Sequence, residues 1–170
     1  MGLARAACDP PIPLKGFASV VTAPAPELRV RRVAEPQDLA RALAIREEVF
    51  VREQQVPLEE ERDLDDSRAI HVLALLGEDA VGTGRLVQKD EGRGKIGRIA
   101  VLGRARGSGV GRALMEALHV EGRILGLGEL FLDAQVPVIP FYERLGYVAE
   151  GERFLDAGIW HRRMRRRLFQ

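Results

Sequence analysis

The run Ile99-Ala100-Val101-Leu102-Gly103-Arg104-Ala105-Arg106-Gly107-Ser108-Gly109-Val110-Gly111-Arg112 passes from a strand-like apolar segment, through closely spaced glycines, into a helical pattern. Glycine lets the backbone come close to a ligand. The first amides of a helix have no partner within it and point outward at the positive end of its dipole. Such a turn suits a phosphate. Charge reinforces the reading: between positions 93 and 112, Arg93, Lys95, Arg98, Arg104, Arg106 and Arg112 are basic and no residue is acidic, whereas helix starts ordinarily prefer acids. Spacing separates this turn from other glycine-rich sites. No Lys-Ser or Lys-Thr pair follows the glycines, as a Walker A loop requires. Gly107, Gly109 and Gly111 do not keep the Gly-x-Gly-x-x-Gly spacing of a dinucleotide site. Arginine at position 106 rules out a Gly-x-Ser-x-Gly nucleophile elbow around Ser108.

Working outward, residues 28–34 alternate as a strand, and Pro36 opens a helix whose apolar stripe runs through Leu39, Ala42, Leu43, Ile45, Val49 and Phe50 until Pro57. Residues 70–76 and 80–87 read as a hairpin closed by Gly77-Glu78-Asp79, and residues 95–102 as a further strand. A helix is predicted over 109–125, ended by Gly126 and Gly128. A strand at 130–134, a short helix at 137–145 and strands from Tyr147 and over 159–168 complete the pattern. Strand, helix, three strands, helix, strand, helix and strands make an α/β fold with a mixed, mostly antiparallel central sheet flanked by helices.

The chain has 170 residues, 46% hydrophobic and 30% charged, enough for one core and too apolar for disorder throughout. Its single cysteine, Cys8, excludes an internal disulfide and the four-ligand zinc modules. No apolar run approaches the ~18 residues of a membrane span. Five of the nine prolines lie in residues 1–27, which read as an N-terminal arm ahead of a domain at 28–168. Phe17 to Val21 is too short for a secretory core, so a cytoplasmic location is expected. The net charge of +1 conceals uneven segments. Residues 47–66 hold nine acids against Arg52 and Arg62, a solvated loop that would draw in a cationic amine if it bordered a pocket. Arg162 to Arg167 holds five arginines in six positions. Lacking interleaved aromatics, it reads as an edge strand guarded by charge rather than a nucleic-acid site.

Two motifs in order carry a resemblance. Arg104, Gly107 and Gly109 meet a Gln/Arg-x-x-Gly-x-Gly/Ala signature. Gln135 precedes Phe141-Tyr142-Glu143-Arg144-Leu145-Gly146-Tyr147, similar to a Phe-Tyr-Glu-x-x-Gly-Phe run whose tyrosine lies seven positions after an Asn. The chain thus resembles the GNAT superfamily of acyl-coenzyme A dependent N-acetyltransferases over residues 28–168. Arg46 to Gln54, His71, Ala134-Gln135 and Gly158-Ile159-Trp160-His161 resemble its ElaA-like bacterial branch.

The resemblance implies a GNAT-like acyl-CoA N-acyltransferase fold, with acetyl-CoA as cosubstrate and no metal. The pyrophosphate would rest on Gly107, Ser108, Gly109, Val110, Gly111 and Arg112, aided by Arg104 and Arg106. The pantetheine would pair as an extra strand with Ile99, Ala100 and Val101, and an amide near Val101 would polarise the thioester carbonyl. Gln135 would contact the coenzyme on a longer arm than the usual Asn, and Tyr142 would protonate the departing thiolate. Glu53 is the first candidate for the general base, with His71 and His161 as alternatives near the acceptor. The implied partner is a small-molecule or peptide amine attacking directly in a ternary complex. A homodimer through the late strands is compatible, and a non-enzymatic CoA-binding regulatory module is the alternative reading.

Overall fold

The computed structural model describes residues 25–169, so the arm expected at 1–27 falls outside the described residues except for its last three. The chain enters with the Glu27 carbonyl accepting from the Gly77 amide at 3.1 Å. β1 (Leu28–Arg32) leads into α1 (Pro36–Arg46), whose Ala42 and Ile45 are buried. One continuous helix is predicted here. Instead Glu47–Glu53 forms a π-helical segment, with the Gln54 amide donating to the Val49 carbonyl at 3.2 Å. The wider turn keeps Val49 in the core while Glu53 and Gln54 leave in different directions. A short α2 (Leu58–Glu61) and a 3₁₀ turn (Leu64–Ser67) follow.

The remaining elements are β2 (Ile70–Leu76), β3 (Asp79–Gln88), β4 (Arg93–Val101), α3 (Val110–Ile124), β5 (Glu129–Gln135), α4 (Ile139–Arg144), β6 (Val148–Asp156) and β7 (Ile159–Arg167). Seven strands form one sheet in the order β1-β2-β3-β4-β5-β7-β6, antiparallel except between β4 and β5. α3 buries Val110, Leu114, Met115 and Leu118 on one face, each such side chain contributing about 2 kcal/mol of transfer free energy. It comes close because β3 has glycine beneath it: a Cβ on Gly82 would lie 2.8 Å from Val110 Cγ1. Ala42, Ile45 and Val49 cover the other face over Leu73, Leu75 and Ala100.

β4 and β5 pair only from Arg93–Glu129 to Lys95–Phe131 and then diverge. The cause lies in β4, where Arg98 takes φ +54° and the register against β3 shifts between Thr83 and Arg85. This bulge puts Ile96 and Ile99, three positions apart, on the same face as α3 and turns the last residues away from β5. A wedge opens between the two strands.

Two expectations are corrected. β7 is not an edge strand: it lies between β5 and β6, and β6 is the edge. Its arginines pair across strands, Arg163 with Asp133 at 2.9 Å and Arg165 with Glu150 at 2.9 Å, while Met164 is buried. The acid-rich segment is not a solvated loop either. Arg46, 1% exposed, binds the buried Glu61 carboxylate and, at 2.6 Å, Asp66. Arg85 holds Asp63 and Asp66 at 2.6 Å, and Lys89 holds Asp65 at 2.9 Å. Arg46 of α1 and Arg85 of β3 draw the acids down onto the fold because a buried guanidinium requires counter-charge.

Candidate active site

The glycine-rich turn leaves β4 at Leu102, makes a 3₁₀ turn at Gly103–Ala105 and enters α3 through Gly109. Gly107 and Gly109 have φ +78° and +85°, and a Cβ at either would meet nothing within 4 Å. Conformation, not crowding, therefore calls for glycine there, and the space above the turn is open. Among the described residues no backbone carbonyl accepts from the amides of Gly107 to Arg112. Ser108 turns its hydroxyl inward, donating to the Ala105 carbonyl at 2.6 Å.

The arginines of the turn are paired sideways. Arg104 meets Asp79 at 2.7 Å, Arg112 meets Glu116 at 2.8 Å, and Arg106 meets Glu53. These exposed pairs are worth about 0–1 kcal/mol each, so they yield readily to a phosphate. Arg106 also donates from Nε to the Val101 carbonyl at 3.0 Å. The Leu102 amide donates to Val81 of β3 at 2.9 Å. Directions alternate along a strand, so the Val101 amide and carbonyl both face the wedge, and Arg106 takes only the carbonyl.

Beside the wedge lies a cavity of about 300 Å³, walled by Phe50 of the π segment and Gln54 just after it, Arg85, Arg98, and Gln135 and His161 from β5 and β7. Gln135 Nε2 donates to Gln54 Oε1 at 2.9 Å. His161 Nδ1 lies 2.8 Å from the Ile159 carbonyl and can only donate there, leaving the Nε2 lone pair free. The ring stacks on Phe154 at 5.9 Å. Arg98 donates to the carbonyls of Glu60 and Glu61 at 3.0 Å.

The electrostatics of this wall follow from its ion pairs. The hydrogen bond from Arg85 holds the Asp63 carboxyl below its ordinary value, against some desolvation. Burial opposes ionisation of Asp66, yet Arg46 and Arg85 together hold it well below the usual carboxylate range. The hydrogen bond from Lys89, then that from Arg68, takes Asp65 to about 2. Of the lining carboxylates, Glu60 and Asp156 have no ion-pair partner among the described residues.

Tyr142, on α4, is 9% exposed, and burial pushes its hydroxyl up to about 12. It stays protonated near neutrality and can serve as an acid but not as a base. Glu53 does not line the cavity. It lies in a second cleft with Leu102, Gly103 and Arg104, at the start of the glycine-rich turn. His71 is buried in β2 with Nε2 3.0 Å from the Asp66 carbonyl, away from the cavity wall. Of the three candidate bases, the structure brings only His161 onto that wall. Sequence reasoning missed Phe50, Gln54 and Arg85. A charge at position 85 within the apolar run 80–87 is the one signal that pointed to a buried partner.

The Acetyltransferase (GNAT) domain family matches residues 30–168. The chain belongs to the GNAT acetyltransferase family. The "Uncharacterized N-acetyltransferase YjcF" of Bacillus subtilis is 44% identical over 129 residues, covering 75% of this chain and 91% of that one. An acyl-CoA N-acyltransferase structure from Pseudomonas aeruginosa superposes with a TM-score of 0.73 at 32% identity, covering 84% and 99%. Escherichia coli ElaA gives 0.72 at 26% identity, covering 83% and 99%. This GNAT enzyme is thus an acyl-CoA-dependent N-acetyltransferase. Its residues fit the cosubstrate: outward amides, open space over two glycines and exchangeable arginines suit the phosphates, and the bared side of β4 suits an extended chain.

Proposed function

We propose that this GNAT enzyme, with residues 28–168 as its catalytic domain, transfers an acetyl or short acyl group to a primary amine of a small molecule or peptide by direct attack. One observation carries the reading. The β4–β5 wedge has backbone amides without carbonyl partners at one end and, beside it, a cavity where the Nε2 lone pair of His161 is available, an arrangement that supports adjoining donor and acceptor sites. Acyl-CoA, when bound, supplies the activated carbonyl and the thiol leaving group. The amides of Gly107 to Arg112 bind its phosphates, Ile99 to Val101 align its arm, and Gln135 holds the far side of the wedge. The Val101 amide donates to the oxygen on which charge develops. His161 takes the proton of the amine, and Tyr142 gives one to the sulfur. Glu53 anchors Arg106 at the turn. The unpaired Glu60 and Asp156 favour a positively charged acceptor, which attacks after losing its proton.

Two substitutions at one position test the cosubstrate site. Asparagine and aspartate both tolerate positive φ and differ by one charge. Calorimetry should show Gly109→Asp binding acetyl-CoA at least about tenfold more weakly than Gly109→Asn, since a charge at the phosphates costs ~1.4 kcal/mol or more. Equal affinities would remove the phosphates from the turn. For the base, His161→Ala should lose about 10²–10⁴-fold in kcat/KM for the amine with acetyl-CoA affinity unchanged. An unaffected His161→Ala beside an inactive Glu53→Gln would hand the role to Glu53. The acceptor is sought by following thiol release across a panel of amines, with mass spectrometry of any product.

A further inference from the structure

His119, like His71, has no part in the proposed chemistry, and it is 3% exposed on the sheet side of α3. Its Nδ1 lies 3.0 Å from Nη1 of Arg166 on β7. A guanidinium only donates, so Nδ1 carries the lone pair and Nε2 the proton. Nε2 therefore donates to the Tyr147 hydroxyl at 2.9 Å. Desolvation, helped by the charges of Arg166 and Arg123, lowers the histidine to about 4, so it stays neutral in this role.

Tyr147 touches Tyr142 in two ways. Its ring, buried, meets the Tyr142 ring edge-on with centroids 6.0 Å apart, and its amide donates to the Tyr142 carbonyl at 3.1 Å. Arg166 also lies across the turn that joins them, where a Cβ on Gly146 would be 3.6 Å from its Nε. The arginine-rich run of β7 thus reaches the acid through a continuous series of contacts. In the motif that this chain resembles the position of Tyr147 is phenylalanine, and here the added hydroxyl accepts from His119.

We infer that Arg166, His119 and Tyr147 are positioning residues that hold Tyr142 in the pose from which it protonates the leaving thiolate. The inference rests on the acid role proposed for Tyr142. Losing the hydroxyl contact frees the Tyr147 ring to shift against Tyr142, and small misplacements of a catalytic group cost up to about 100-fold in rate.

The test compares His119→Leu, His119→Gln and Tyr147→Phe, alone and combined with Tyr142→Phe, in steady-state assays of the full chain. Tyr147→Phe keeps the ring and removes one oxygen, so it reports even if His119→Leu fails to fold. The expected result is a drop in kcat of about 10- to 100-fold for His119→Leu and Tyr147→Phe, with KM for acetyl-CoA unchanged. Glutamine, which offers a carbonyl to Arg166 and an N–H to Tyr147, should restore most of the rate. On the Tyr142→Phe background neither substitution should lower kcat further. Wild-type kcat in Tyr147→Phe, or an undiminished effect on the Tyr142→Phe background, would overturn the positioning role while the acid role stood. Full activity in Tyr142→Phe alone would overturn both.

Discussion

Tyr142→Phe should lower kcat for acetyl transfer by about 10²–10⁴-fold and leave the acetyl-CoA dissociation constant within about twofold. The substitution removes one oxygen from a ring that packs edge-on against Phe141 at 5.0 Å and Tyr147 at 6.0 Å, so the fold has little reason to respond. What is lost is a proton donor. Because burial pushes the hydroxyl up to about 12, it remains protonated through moderately alkaline pH, and the wild-type rate should show no alkaline loss from this group below that value. Single-turnover thiol release isolates the step. A rate in the variant equal to wild type at every pH would show that the sulfur takes its proton from elsewhere.

The largest effect on folding is expected from Arg46→Met. Arg46 and Glu61 are each 1% exposed, and the guanidinium also donates to the Glu61 carbonyl at 2.9 Å and to Asp66 at 2.6 and 3.0 Å. Methionine fills much of the stem's volume but leaves Glu61 buried without its principal counter-charge. Breaking such a pair costs about 3–5 kcal/mol, much of the total stability of a domain this size. Urea unfolding should register the loss as a lower midpoint with little change in slope. The same cluster sets acid stability. The folded-state values of Asp63, Asp65 and Asp66 lie below their unfolded ones, so their contribution is fully present above the ordinary carboxylate value near pH 4. It declines as pH falls toward about 2. In Arg46→Met the dependence over that interval should flatten, and an unchanged acid profile would mean that the cluster is not what holds the segment.

What could be read from the sequence was what is local. The turn at 103–111 declares itself because glycine at positive φ, bared amides and the absence of acids are properties of consecutive residues. The two motifs and the order of strands follow the same logic. The π segment carries no such mark, since Glu47 to Glu53 would make an equally good α-helix and the shift by one hydrogen bond is imposed by packing. The acids at 59–66 looked solvated because Arg46, Arg85 and Arg98 reach them from three other elements. β7 looked like an edge because the arginines that would guard one also serve to meet Asp133 and Glu150 across neighbouring strands. His119 was hidden among leucines, and nothing in residues 109–125 says that Arg166 arrives above it.

The bulge at Arg98 has a wider meaning than the shape of a groove. Between the half of the sheet that ends in β4 and the half that begins with β5, the chain's own ladder runs for three residue pairs and stops. Past Lys95 β4 and β5 share no ladder, and Gln135 of β5 reaches across to Gln54 at the end of the π segment. The molecule is in that sense two plates on a short hinge line, and any strand-like guest in the gap would act as a splint. Its grip on a cosubstrate and its own rigidity would then be one property, written into the protein by a single arginine at positive φ.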